Sequence, residues 1–153
     1  MMRQLPIWLA AAWAMSLSVL GLMVVPLLFV HLPTPAMAGQ MAAKLFSAQM
    51  WVSVACGAGL LMVFRSKRAL TPVEYAQPAT LFVVGGLLLA LLVELAVAPR
   101  IVARENLALW HRIGSALYLA QWLCSLWVMR CMVAAQSAKQ AADHSGARTD
   151  AQI

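Results

Sequence analysis

The side chains of this sequence that could do chemistry lie mostly at the ends of long apolar runs. His31 follows one uncharged run and His111 precedes another. Two imidazoles at similar depth on facing helices can ligate a haem iron axially, and Arg100 and Arg112 are placed to bind haem propionates. We expect no cofactor, and a haem b group held by these four residues is the alternative. The sequence contains no CxxCH motif for covalent haem.

Glu94 is the one ionisable residue that lies well inside an apolar run. A carboxylate in hydrocarbon costs several kcal/mol unless it is paired or protonated, so such a residue is a functional candidate. Three interpretations stay open. Glu94 is a proton- or cation-responsive group, it forms a structural ion pair with Arg100, His111 or Arg112, or its carboxylate reaches up to interfacial water.

No metal site is expected from the sequence. Ten methionines are present, and Met37 and Met41 lie one helical turn apart near His31. Methionine is a soft ligand that suits Cu(I), but it is also an ordinary apolar residue in lipid.

The composition identifies the class of protein that carries these residues. Of the 153 residues, 63% are hydrophobic and 10% are charged, and the mean hydropathy is +0.82. Soluble domains contain about 25% charged and about 45–50% apolar residues. These values exclude a water-soluble globule, a disordered tail protein and a collagen-like fibre. They indicate a single integral membrane domain.

Four apolar runs are each close to the ~20 residues that a helix needs to cross a bilayer. They span about residues 7–30, 45–64, 79–99 and 109–133. The first is too long for the apolar part of a signal peptide. The predicted fold is therefore all-α, an integral membrane four-helix bundle over residues 1–135. The polar residues 136–153 are predicted to form a mobile tail.

Prolines mark helix starts and bends. Pro26 lacks the N–H that would bond Leu22, so we expect it to bend the first helix. Thr34 and Pro35 are typical of a helix start, as an N-cap followed by proline. Thr71 and Pro72 predict a second start of the same kind.

Small and polar residues predict how the helices pack. Gly85 and Gly86 belong to one of several small-residue faces that let helices approach closely. These faces favour internal packing, and a homodimer is the alternative. A stripe of polar residues with 3–4 spacing lies on the last run, and it consists of His111, Ser115, Tyr118, Gln121, Trp122 and Ser125. Smaller sets of polar residues lie on the second run, at Gln49 and Ser53, and on the first run, at Ser16 and Ser18. We interpret these as interhelical hydrogen-bonding groups, with a transport path as the alternative.

The basic residues predict the orientation and the partners. The net charge is +6, and the basic residues lie at the ends of apolar runs, which suits lipid headgroups and not nucleic acid. The side of the termini carries seven Lys and Arg residues against four on the other side. The seven are Arg3, Arg65, Lys67, Arg68, Arg130, Lys139 and Arg148, and the four are Lys44, Arg100, Arg104 and Arg112. The positive-inside rule then predicts a bacterial inner-membrane protein with both termini in the cytoplasm. The expected partners are the lipid bilayer and a protein partner or a second copy of the chain.

Two stretches resemble a known family. They are GLMVVPLLFVHLP at 21–33, with Ala38-Gly39 and Lys44-Leu45-Phe46 after it, and APR at 98–100 followed by LWHRIGSALY at 109–118. They are similar to the small four-helix proteins of the transmembrane protein 205-like type, a domain of unknown function. The resemblance implies a four-span bundle, assigns no activity, and places its motif histidine at His111.

The four-helix plan is also similar to two other groups, the copper-resistance D-type proteins and the HemJ-type protoporphyrinogen oxidases. The latter are haem-binding enzymes, but an architectural analogy does not establish function. This chain has no obvious match to their lysine- and arginine-rich motifs.

These observations favour a small integral membrane protein without enzymatic activity, an accessory or structural component of a membrane complex or envelope process. The first alternative is a haem-binding redox protein that uses His31 and His111. The second is a small transporter or metal-handling protein in which Glu94 responds to the ion.

Overall fold

The protein is a bundle of four long helices. The computed structural model describes residues 4–66, 73–103 and 105–150, and within these ranges it contains no strand. Helix α1 is Leu5–His31, with a π-helical turn at Leu20–Val24, and α2 is Pro35–Ser66. Helix α3 consists of Val73–Leu92, a π-helical turn at Val93–Val97 and Ala98–Val102, and α4 is Leu107–Asp150. All four are long and apolar enough to cross a membrane, which confirms the predicted all-α membrane bundle.

The predicted start of the second helix is confirmed. Helix α2 begins at Pro35, and the backbone N–H of Met37 donates to the Thr34 side-chain oxygen Oγ1 at 3.3 Å. Thr34 therefore caps the helix as the sequence pattern indicates. The cap predicted at Thr71 and Pro72 lies outside the described residues, as do the basic residues Arg3, Lys67, Arg68 and Arg104.

Helix α4 does not end where the apolar residues end. It continues through residue 135, the predicted boundary of the bundle, and reaches Asp150. The residues that follow the boundary include five alanines and three glutamines, which favour helix, and they include no proline. At 1.5 Å per residue, α4 is roughly 66 Å long, about twice the ~30 Å hydrocarbon layer. The helix therefore projects from the bilayer, while the predicted mobility of residues 136–153 stays a prediction.

Pro26 changes the hydrogen bonding of α1 without ending the helix. The backbone N–H of Val25 bonds the carbonyl of Leu20, five residues earlier. A π-helical turn inserts one extra residue into the helix, and here it lies just before a proline that cannot donate to the carbonyl four residues earlier. The effect of Pro26 is thus a widened turn, and the helix continues to His31.

The helices form a ring in which α1 and α3 each pack against α2 and α4. The buried core is concentrated in the half of the bundle nearer the termini. It includes Ala10, Trp13, Leu17, Leu60, Val83 and Val128. In the other half, the last part of α1, Val25–His31, contains no buried residue, and neither does α4 between residues 107 and 120. The half nearer the termini, which contains most of the buried core, is the closely packed half. In the other half the buried residues include Ala38 and Ala42 on α2 and Val97 on α3.

Trp13 fills the axis of the closely packed half. Its side chain is 0% exposed, and it reaches across the bundle from α1 to α3. A Cβ atom built on Gly86 would lie 2.6 Å from the Trp13 ring atom Cη2, so only glycine accommodates the indole there. The neighbouring Gly85 has no atom within 4 Å of the same position. Of this predicted small-residue pair, Gly86 makes the close interhelical approach.

The contact between Trp13 and Gly86 predicts a matched pair of glycine substitutions. Gly86→Ala overpacks the axis, and we expect it to destabilise the fold by about 1–3 kcal/mol. Gly85→Ala introduces the same methyl group into open space and should leave stability nearly unchanged. The measurement is the thermal unfolding midpoint in detergent.

A second substitution tests the cause of this effect. Trp13→Phe removes the ring atoms that meet the new methyl group, so Gly86→Ala should be less harmful in that background than in the wild type. Equal midpoints for Gly85→Ala and Gly86→Ala would contradict the assignment of Gly86 to the core contact.

Candidate functional site

Glu94 lies in the π-helical turn of α3. The turn spans Val93–Val97 and comes just before Pro99, and the backbone N–H of Ala98 bonds the carbonyl of Val93. This repeats the arrangement at Pro26 in α1, with the same missing proline donor. The helix ends at Val102, so Glu94 is about 12 Å from that end at 1.5 Å per residue. The side chain is half-buried and belongs to a helix that is long and apolar enough to cross a membrane.

The hydroxyl group of Ser47 on α2 binds the Glu94 carboxylate. It donates to both carboxylate oxygens, at 2.8 Å to Oε1 and 3.0 Å to Oε2. Within the described residues, the expected ion pair with a histidine or arginine is not formed. Arg100 instead donates from Nη1 to the Ala96 carbonyl at 2.9 Å, and its guanidinium lies 4.4 Å above the Trp110 ring.

A small cavity adjoins the carboxylate. It has a volume of about 10 Å³, which is close to one water-sized sphere. Its polar lining comes from three helices: Gln49 on α2, Glu94 on α3, and Tyr118 and Gln121 on α4. All four of these residues were singled out in the sequence, Glu94 as the carboxylate within an apolar run and the other three as interhelical hydrogen-bonding groups.

Two buried glutamines at the cavity bond other helices of the bundle. The Nε2 group of Gln49 donates to the Ser16 hydroxyl oxygen at 2.9 Å, which joins α2 to α1. The Nε2 group of Gln121 donates to the Ser53 hydroxyl oxygen, also at 2.9 Å, which joins α4 to α2 across the bundle. Because each amide donates through its nitrogen, its carbonyl oxygen Oε1 remains an acceptor.

Two further side chains on α4 bond α1. Tyr118 donates its hydroxyl to the Leu17 carbonyl at 2.8 Å, and Trp122 donates its indole N–H to the Ser18 hydroxyl oxygen at 2.9 Å. Gly21 makes the approach of the tyrosine ring sterically feasible, since a Cβ there would lie 2.8 Å from Tyr118 Cε1.

The predicted role of the polar stripe is thus confirmed for Tyr118, Gln121 and Trp122, which bond other helices. Ser125 bonds a carbonyl within its own helix. His111 and Ser115 are exposed near the start of α4.

The residues of the haem hypothesis lie at the far end of the bundle from the termini. His31 ends α1, Arg100 is close to the end of α3, and His111 and Arg112 are in the first turns of α4. All four are exposed. The His31 nitrogen Nδ1 lies 3.0 Å from the Leu27 carbonyl oxygen. Neither histidine lines the cavity beside Glu94. Among the described residues, no cluster of three or more His, Cys, Asp or Glu could hold a metal ion.

Ser47 is the site residue that sequence reasoning missed. It is a hydroxyl residue in an apolar run, two positions before Gln49, and on that pattern it is one of several serines that could bond any neighbour. Ser47 is the partner of Glu94 because α2 lies against α3 at a depth that brings these two side chains together.

The hydrogen bond between Ser47 and Glu94 predicts a loss of stability in Ser47→Ala. Hydrogen bonds to charged groups contribute about 1.5–3 kcal/mol, so the thermal unfolding midpoint in detergent should fall. Ser47→Thr keeps the hydroxyl and should remain closer to wild type.

Ser137 offers a matched control, because its exposed hydroxyl bonds only the Val133 carbonyl of its own helix. Ser137→Ala should leave the midpoint unchanged. If Ser47→Ala also left it unchanged, the carboxylate would not depend on the serine.

Comparison with known proteins finds a family match for this chain. A family model described as Domain of unknown function (DUF4149) matches residues 8–109, a range that includes Ser47 and Glu94 and ends in the first turn of α4. No curated protein and no solved structure matches the chain. The match supports the predicted resemblance to a domain of unknown function, and it does not show similarity to the transmembrane protein 205-like, copper-resistance D-type or HemJ-type groups in particular.

Proposed function

We propose, from the premise that this chain belongs to the DUF4149 family, that it is a non-enzymatic membrane component whose working group is the Glu94 carboxylate. This group takes up and releases a proton or a small cation, and the bundle serves as an accessory part of a membrane complex or envelope process. The family has no assigned activity, so the proposal depends on the chemistry of the site.

The observation that carries the proposal is the environment of the carboxylate. Glu94 is half-buried within a membrane-spanning helix, and the hydrogen bond from Ser47 brings no compensating positive charge. An ionised carboxylate in such a place is costly unless a positive partner is present. A proton or a cation in the adjoining cavity would provide that partner.

The packing of the bundle favours a protein that binds an ion over one that conducts ions across the membrane. Trp13, Leu17, Val83 and Val128 are each 0% exposed and fill the half of the bundle nearer the termini. An ion that reaches Glu94 therefore enters from the opposite end and leaves by the same end. Binding at such a site depends on the ion concentration on one side of the membrane, and it affects the molecules that the bundle contacts.

The orientation is also a proposal, and it rests on the bias of the basic residues. We place both termini in the cytoplasm of a bacterial cell and the chain in its inner membrane. The cavity beside Glu94 is then accessible from the outer face of the membrane.

Substitution of the carboxylate tests this function. The thermal unfolding midpoint of the purified protein should change as pH and salt composition are varied, because a ligand that binds the folded state stabilises it. Glu94→Gln removes the charge at nearly constant shape and should abolish this response.

Glu105→Gln is the matched control, since Glu105 is exposed in the short connection between α3 and α4. It should respond as the wild type does. A full response in Glu94→Gln would overturn the proposal.

Haem binding is a second candidate, favoured by one contact. In the tautomer that carries a proton on Nδ1, His31 donates to the Leu27 carbonyl and leaves Nε2 free, which is how backbone carbonyls orient imidazole ligands. His111 would supply the second ligand, and Arg100 and Arg112 would bind the propionates.

Absorption spectra of the protein purified from haem-supplied cells test this candidate. Haem ligation predicts a Soret band with sharp reduced bands, lost in both His31→Ala and His111→Ala. A spectrum with tryptophan absorption alone would rule the candidate out.

A further inference from the structure

We infer that Glu94 carries a proton in the folded protein, and that its carboxylic acid group and the Ser47 hydroxyl group form a closed pair of hydrogen bonds. The inference rests on the proposed function, because it names the proton as the ion to which Glu94 responds. It is carried by the two contacts between these side chains, by the apolar surroundings of the carboxyl group and by the positions of the charged residues.

The two contacts between Ser47 and Glu94 need two hydrogen atoms to be complete hydrogen bonds. The Ser47 oxygen Oγ lies 2.8 Å from Oε1 and 3.0 Å from Oε2, and O–H···O bonds span about 2.5–3.0 Å. A serine hydroxyl group has a single proton to donate, and an ionised carboxylate only accepts, so this proton is divided between the two oxygens. A protonated carboxyl group supplies the second proton. Its O–H then donates to Oγ, while the Oγ–H donates to its carbonyl oxygen.

The lengths of the two contacts favour neutral partners. A hydroxyl group that donates to an ionised oxygen lies about 2.5–2.7 Å from it, whereas neutral O–H···O bonds are most often about 2.7–2.8 Å long. The distances of 2.8 and 3.0 Å from Ser47 to Glu94 both exceed the range for an ionised acceptor. The geometry therefore matches a cyclic pair of an acid and an alcohol better than a hydroxyl group bound to a carboxylate.

The surroundings of the carboxyl group favour the same form. The surface that lines the adjoining cavity is mostly apolar, and it includes Phe46, Met50, Ala90 and Val93. An apolar lining stabilises neither a carboxylate nor a metal cation. It accommodates a neutral carboxyl group, because both oxygens of that group already have a hydrogen-bond partner in Ser47.

The charged residues near this end of the bundle leave Glu94 without an ion pair within the described residues. The charged or titratable side chains here are exposed, and they are His31, Lys44, Arg100, Glu105, His111 and Arg112. Arg100 bonds the Ala96 carbonyl and lies over the Trp110 ring. Tyr118 is the other titratable residue that lines the cavity, and its hydroxyl group donates to the Leu17 carbonyl. A proton therefore provides the positive charge that these side chains do not.

Uptake and release move one proton between water and Glu94. On uptake, a carboxylate oxygen forms an O–H bond to a proton that enters from the end of the bundle far from the termini, and the acid closes the pair with Ser47. On release, this O–H bond breaks and its electron pair remains on the carboxylate oxygen. Ser47 then divides its own proton between the two oxygens. The number of hydrogen bonds between α2 and α3 therefore changes with the proton.

Infrared spectroscopy of the full chain in detergent tests the inference, because the C=O stretch of a carboxylic acid is separate from the absorption of a carboxylate. The chain contains three glutamates, so Glu74→Gln combined with Glu105→Gln leaves Glu94 alone. With glutamate isotopically labelled at its side-chain carboxyl carbon, this double variant should show the band of a protonated carboxyl group near neutral pH. Glu94→Gln should lack that band. A double variant that shows carboxylate absorption alone would overturn the inference.

Substitution of Ser47 tests the closed pair. Ser47→Ala removes the donor to the carbonyl oxygen of the acid, so the band should move to higher frequency. Ser47→Thr keeps the hydroxyl group and should keep the band near its wild-type position. Ser137→Ala removes an exposed hydroxyl group that bonds only the Val133 carbonyl, and it should leave the band unchanged.

Ser47→Cys serves if Ser47→Ala does not fold, because a thiol is a weak donor and should move the band in the same direction. A band at the wild-type frequency in these two variants would refute the pair with Ser47.

This inference and the proposed function fail in different ways. A protonated Glu94 in a protein whose unfolding midpoint is insensitive to pH and salt would keep the inference and refute a working role for the group. A midpoint that depends on salt composition and not on pH, with carboxylate absorption alone from Glu94, would keep the proposed function and refute the proton. The band of the acid, together with a pH response that is lost in Glu94→Gln, would support both.

Discussion

The contact of Trp13 with Gly86 sets the geometry of the bundle. Lipid tails are as apolar as the helices, so helices associate in a bilayer through close packing and interhelical hydrogen bonds and not through the hydrophobic effect. A large indole from α1 and a residue without a side chain on α3 provide that close packing at the axis. The indole N–H of Trp13 has no hydrogen-bond partner among the described residues, so its packing contacts offset the cost of burying that group.

The consequences of this contact differ between the two halves of the molecule. Around Trp13 the interior is filled by apolar side chains. Farther from the termini the interior contains Gln49, Gln121 and Tyr118, which reach other helices through hydrogen bonds. These side chains also line the cavity beside Glu94. The same residues thus stabilise the bundle and surround the candidate site.

Proline has a parallel effect on two helices. Pro26 and Pro99 lack the N–H of a regular helix, and each follows a π-helical turn. In α1 the turn contains Gly21, against which the Tyr118 ring packs. In α3 the turn contains Glu94. One π-helical turn therefore contacts Tyr118 and the other contains Glu94, and the two turns lie on opposite sides of the ring. The two prolines are themselves exposed.

Hydropathy, helix length and proline placement are local properties of a chain, and so the sequence alone determined the four spans, the all-α bundle, the start of α2 at Pro35 and the isolation of Glu94 in an apolar run. Hydropathy does not indicate that the polar residues after 135 continue α4 as a helix to Asp150. The partner of Glu94, the cavity and the selection of Gly86 over Gly85 were decided by the tertiary structure. Each depends on the depth and rotation of one helix against another, and the two π-helical turns change that rotation in a way that residue spacing does not reveal.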